Sequence, residues 1–154
     1  MDDKQRTASI GCDHAGYPYK NRIVQLLEDE GYAVLDHGTN STDSTDYPDH
    51  IHPVGADIDA GIADIGIILC GSGNGAAMTA NKHQSVRAAL CWNTELVSLA
   101  REHNNANVLS IPARFVNEAT AMAMVKTFID TPFEGGRHAR RVGKIALSEA
   151  PQDC

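Results

Sequence analysis

The chain has 154 residues, 42% of them hydrophobic, which suits one folded domain with its own core and excludes a disordered segment. Lys and Arg number 13 against 20 Asp and Glu, giving a net charge of -7. Such a field disfavours nucleic acid and anionic membrane surfaces as partners, and a bound anion would need a local cluster of cations.

No apolar run approaches membrane-spanning length, and residues 1–7 are polar with no apolar signal core, so the expected location is the cytoplasm. Cys12, Cys70, Cys91 and Cys154 form no C-x-x-C pair and signal no zinc site. The first three sit in or just after apolar, strand-like runs and read as reduced thiols.

The predicted elements alternate along the chain. Residues 8–12 read as a first strand, ending in Asp13-His14. Residues 17–30 carry Ile23, Leu26 and Leu27 at helical spacing, with Gly31 as the stop. A second strand covers 32–35. Residues 38–49 read as a long polar loop closed by Tyr47-Pro48, a length often tied to function. A weaker helix is expected over 54–62.

Ile65-Gly66-Ile67-Ile68-Leu69 is apolar without alternation, as in a strand buried on both faces of a parallel sheet. It stops at Cys70. Then come Gly71-Ser72-Gly73-Asn74-Gly75 and a run of helix formers, 76–80. A fourth strand covers 86–91, and Thr94 caps a helix ending near His103. A fifth strand covers 107–111 and stops at Pro112. A helix over 116–129, a turn at 131–136 and a last helix over about 137–150 complete the chain. This alternation predicts one doubly wound α/β domain of about five parallel strands, with helices on both faces.

Three clusters carry chemistry beside the central turn. Ligands of open α/β sheets bind at strand carboxyl ends, where Cys70 and the glycine turn lie. Small residues there admit a ligand to the backbone, and the first amides of the next helix have no partner within it. A helix amino terminus favours thiolate over thiol at Cys70, though a buried inert cysteine fits the same position. Neither a phosphate P-loop nor a dinucleotide pattern is met in full.

At the first strand tip, Gly11-Cys12-Asp13-His14-Ala15-Gly16 offers a carboxylate and an imidazole, or equally a capping aspartate with a surface histidine. His103-Asn104-Asn105-Ala106-Asn107 bunches polar side chains between a helix and a strand. Arg137 and Arg141 are four residues apart and share a helix face able to grip phosphate; a solvated basic face is the plainer alternative. Together these point to a phosphorylated polyol or sugar as ligand, with no hydride cofactor or metal.

These motifs resemble those of the type B ribose 5-phosphate isomerases, in the group that includes the galactose 6-phosphate isomerase subunits. The matching stretches are Gly-Cys-Asp-His-Ala-Gly at 11–16, Thr45-Asp46-Tyr47-Pro48, Cys70 to Gly75 with Ala80-Asn81-Lys82, Val86-Arg87-Ala88-Ala89, His103-Asn104, and Glu134-Gly135-Gly136-Arg137-His138 with Arg141. They run in order across nearly the whole chain.

The resemblance implies a Rossmann-like αβα domain without cofactor, assembled as a homodimer or homotetramer whose active sites draw on two subunits. The last helix would pack on the partner. By position, Cys70 would be the base that moves a proton between sugar carbons. The turn, including Gly71, Gly73, Asn74 and Gly75, would hold the enediolate oxygen, with Ser72 assisting. Asp13 and His103 would help open the ring. His14, Arg114, Arg137 and Arg141 would hold phosphate, and Tyr47 and Asn104 would line the sugar. Asn105 stands where the family has aspartate. A six-carbon sugar phosphate such as allose or galactose 6-phosphate, and a non-catalytic sugar-phosphate-binding module, are the competing readings.

Overall fold

The computed structural model describes residues 4–147. Five strands form one parallel sheet: β1 (Thr7–Cys12), β2 (Ala33–Asp36), β3 (Ile65–Cys70), β4 (Ala88–Leu90) and β5 (Val108–Pro112), in the order β2-β1-β3-β5-β4. The helices are α1 (Tyr17–Asp29), α2 (Tyr47–Asp59), α3 (Asn74–Ala80), α4 (Thr94–Asn104), α5 (Glu118–Asp130) and α6 (Arg137–Val142).

The central strand, β3, is buried along its whole length, as its unbroken apolar run requires. Its side chains alternate between faces. Ile67 and Leu69 join the larger core with Ile23, Leu27, Val97, Met124 and Phe128 of α1, α4 and α5. Ile68 and Cys70 join the smaller core with Ile51 and Val54 of α2 and Ala76 and Ala80 of α3. The chain leaves β1 towards β2 on one side and returns to β3 on the other. The winding therefore reverses between β1 and β3, where a ligand crevice belongs. Cys12 pairs with Leu69 at that point.

Several boundaries differ from expectation. α2 begins at Tyr47, seven residues before the predicted start at 54, because Pro48 occupies its first turn, where the missing N–H costs nothing. Pro53 lies inside this helix. The loop is thus 37–46 and does not reach 49. α4 is capped by Asn93, whose side chain accepts from the Leu96 amide; Thr94 is already helical. α6 ends at Val142, not near 150: Gly143 caps it, and residues 148–150 lie outside the described part. Asn105 caps α4 in the left-handed region at φ 46°. Asparagine tolerates that conformation better than most residues.

Among the described residues, every buried side-chain nitrogen and oxygen has a hydrogen-bond partner. The largest buried polar group is Lys20 of α1, at 0% exposure. Its ammonium lies 2.9 Å from Asp36 Oδ2 and also donates to the Asn40 side chain. It ties α1 to the end of β2 and to the loop that follows. Removing one partner of a buried pair is costly, but Asp36 is 34% exposed and keeps part of its hydration. Lys20→Met is expected to lower stability by about 2 kcal/mol, read from the urea midpoint. An unchanged midpoint would show that the pair adds nothing.

Candidate active site

Cys70 ends β3 and is 5% exposed. The chain then turns through Gly71-Ser72-Gly73 into α3, with Gly73 in the left-handed region at φ 77°. A side chain at Gly73 would strike Leu90, and its carbonyl accepts from the buried Ser110 hydroxyl at 2.8 Å. Among the described residues, the amides of Ser72, Gly73 and Gly75 have no acceptor. They are the donors that a developing oxyanion could use.

The hydroxyl oxygen of Ser72 accepts from the Asn74 amide at 3.3 Å and from its side-chain Nδ2 at 3.1 Å. The Ser72 proton is therefore available to a substrate oxygen. Asn74 orients Ser72, a role its residue type alone did not disclose.

Two more predicted residues border the turn. A Cβ on Gly71 would lie 3.3 Å from Arg114 Nη1, and the Arg114 amide donates to the Gly71 carbonyl at 3.0 Å. The guanidinium thus sits against the turn. Tyr47, the first residue of α2 and 38% exposed, packs its ring so tightly on Gly75 that any side chain there would overlap it.

The β1 tip lies alongside, since the Asp13 amide donates to the Leu69 carbonyl at 3.3 Å. Asp13 is buried, and its Oδ1 accepts from the amides of Ala15 at 2.9 Å and Gly16 at 3.3 Å. That carboxylate shapes the loop and holds His14 at the crevice. His14 Nδ1 accepts from the Thr45 amide at 3.2 Å. Cys70, Ser72, Asp13, His14, Tyr47, Gly71, Gly73, Asn74, Gly75 and Arg114 therefore gather at the carboxyl ends of β1 and β3.

His103, Asn104, Arg137 and Arg141 do not. α4 runs back from the carboxyl edge of the sheet, so its last residues, His103 and Asn104, lie at the opposite edge, just before β5 begins. α6 packs on α4 there, and the Glu134 amide donates to the Glu102 carbonyl at 3.1 Å. Arg137 and Arg141 are exposed on α6. His138, 7% exposed, stacks on His103 with ring centroids 4.2 Å apart and planes 13° apart. Burial is the first cause holding its pKa below the usual histidine range, helped by the nearby His103 and Arg137.

Ligand atoms of His103, Glu134 and His138 lie within 4.8 Å of one another. A metal must lie in the plane of each imidazole it binds, about 2 Å from the nitrogen. Parallel stacked rings cannot both meet that condition, so the cluster reads as a histidine pair under one carboxylate.

Burial raises the Cys12 thiol to about 12 and the Cys91 thiol to about 11, so both stay protonated at neutral pH. Sequence reasoning missed His50, whose place on α2 was hidden by the late predicted helix start. It also missed the buried Lys20. Its one signal was a lysine at i−3 from Ile23 on the apolar face of the predicted helix.

The sequence model of the Ribose/Galactose Isomerase family matches residues 8–145. Ribose-5-phosphate isomerase B of Escherichia coli (strain K12) is 38% identical over 141 residues, which cover 92% of this chain and 95% of that protein. The crystal structure of a ribose 5-phosphate isomerase from Thermotoga maritima superposes with a TM-score of 0.87 at 44% identity, covering 92% of this chain and 97% of that one. Ribose-5-phosphate isomerase B from Mycoplasma genitalium, solved with bound ribulose-5-phosphate, gives a TM-score of 0.87 at 40% identity over 90% of this chain and 93% of that one. With the family model matched over residues 8–145 and relatives of 38% and 44% identity covering 92% of the chain, the chain belongs to the ribose/galactose isomerase family.

Proposed function

We propose that this chain is an aldose-ketose isomerase that interconverts ribose 5-phosphate and ribulose 5-phosphate, with Cys70 as the base. The observation that carries the reading is a thiol at the tip of the central strand, beside a turn with open amides and next to Arg114 and the His14 loop.

Asp13, together with His103, assists opening of the furanose ring. The Cys70 thiolate takes the proton from carbon 2 of the open aldose. The electron pair moves into the carbon 1–carbon 2 bond, and the aldehyde oxygen becomes the enediolate oxygen. Amides of Ser72, Gly73 and Gly75 receive that charge; losing one such donor typically costs about 3 kcal/mol. The thiol returns its proton to carbon 1, while Ser72 passes a proton from the second oxygen to the first. Cys12 and Cys91 are no rivals as bases, since burial keeps them protonated. The described cysteines are free thiols, which suits a cytoplasmic enzyme.

His103, Asn104, Arg137 and Arg141 reach the substrate from a second copy of the chain. The two polar clusters lie at opposite edges of one sheet. A two-fold pair that sets the α4 end and α6 of one copy over the turn of the other completes two sites at once. The exposed apolar side chains Trp92 and Phe115, beside Ser72 and Asn74 at the mouth of the turn, support a covering subunit.

Cys70→Ala is expected to cut turnover by at least about 1,000-fold while ribose 5-phosphate still binds; near-normal turnover would remove the thiol from the mechanism. Iodoacetamide near neutral pH should modify Cys70 before Cys91 in a Cys154→Ser background, and ribose 5-phosphate should slow only the former. Equal rates at the two thiols would count against the site. Refolding Cys70→Ala together with Arg141→Ala, each inactive alone, should restore about a quarter of wild-type activity, because half the pairs are mixed and each mixed pair has one intact site. No recovery would sink the shared-site arrangement.

A further inference from the structure

We infer that a hydrogen-bond chain from Asp57 through His37, His50 and Thr45 fixes His14 as its neutral tautomer with the proton on Nε2. Thr45 and His50 are thereby positioning residues for the anion contact. The role in substrate binding rests on the isomerase reading above; the tautomer does not.

At Asp57, at the His37 carbonyl and at the Thr45 amide, the direction follows from groups that can act in only one sense. The Asp57 carboxylate accepts from the Ser9 hydroxyl at 2.8 Å and from His37 Nε2 at 2.6 Å, which pins His37 where the loop leaves β2. The His37 carbonyl can only accept, so His50 Nδ1, 3.0 Å away, carries a proton. Neutral His50 then has its lone pair on Nε2, which accepts from the Thr45 hydroxyl at 3.0 Å.

Thr45 is held by its side chain, and its backbone amide, which can only donate, meets His14 Nδ1 at 3.2 Å. Nδ1 must then be unprotonated, and the ring proton sits on Nε2. Protonating Nδ1 would set two N–H groups against each other. His14 thus presents one fixed donor, Nε2–H, at the β1 tip. The two histidines carry their protons on opposite nitrogens because one meets a carbonyl and the other an amide.

His50 is wedged in place. A side chain at Gly11 of β1 would strike its carbonyl, and a Cβ at Gly38 would come within 3.4 Å of its Nδ1. Substituting His50 therefore risks the fold, and Thr45 is the better site to test. Thr45→Val removes the hydroxyl and keeps the backbone amide; Thr45→Ser keeps both.

Two readouts decide the matter: long-range proton–nitrogen spectra of the His14 ring in the free protein, and KM against kcat for ribose 5-phosphate. Wild type and Thr45→Ser should show the Nε2–H tautomer. Thr45→Val should show a mixture of tautomers and raise KM about tenfold, with kcat within about twofold, as expected for a weakened hydrogen bond to a charged group in ground and transition states alike. A wild-type ring protonated on Nδ1 overturns the inference. So does a Thr45→Val protein whose tautomer is unmoved; a moved tautomer with an unmoved KM overturns the positioning role of Thr45 and leaves the tautomer standing. The companion variant His14→Ala tests the functional reading separately: an unchanged KM there removes His14 from the anion site, whatever its tautomer.

Discussion

Strand direction is the constraint on which the rest of the structure depends. In a sheet whose strands all run one way, every strand delivers its last residue to one edge, and every returning helix delivers its last residue to the other. The β1 and β3 tips therefore meet, with Asp13 bonded to the Leu69 carbonyl and Cys70 one residue further. The carboxyl end of α4, with His103 and Asn104, is carried away from them by the same rule. No side-chain rotation closes that separation. Under the proposed reading, a site that draws on both groups needs a second copy of the chain.

Backbone fit at the turn limits what the site can tolerate. Gly73 adopts a left-handed φ and faces Leu90, and Gly75 lies under the Tyr47 ring. These contacts fix the path of the turn that carries the open amides. Ser72 is constrained from within the turn by Asn74. Arg114 reaches the same place from β5, anchored by its own amide to Gly71. Three elements thus converge on a few atoms, and each is tied to the sheet at a strand end.

The loop after β2 has no helix or strand of its own and is tied at both ends. Lys20 holds its start through Asp36 and Asn40, and His50 holds its end through Thr45. Long loops ordinarily cost conformational entropy on closing; here buried polar bonds offset it at both ends. At the end of the loop, the bonds that hold Thr45 are also those that we propose set the donor on His14.

Much of this was legible in residue order. An unbroken apolar run must be buried on both faces, so β3 and its position at the centre follow from Ile65 to Leu69. The glycine turn follows from composition, and Gly31 marks the end of α1. Adjacent residues able to play the same part were harder to separate. Asn93 and Thr94 can each cap α4, and only the chain path decides for Asn93. Tyr47-Pro48 can close a loop or open a helix, and packing of Tyr47 on Gly75 decides for the helix.

The sequence by itself determined the fold class and the family and singled out the candidate reactive groups, because each rests on local pattern or residue type. Tertiary structure alone decided which of those groups share an edge of the sheet, which nitrogen of His14 holds its proton, and why Lys20 is buried. Those facts depend on contacts between residues distant in the chain, whose pairing no local pattern encodes.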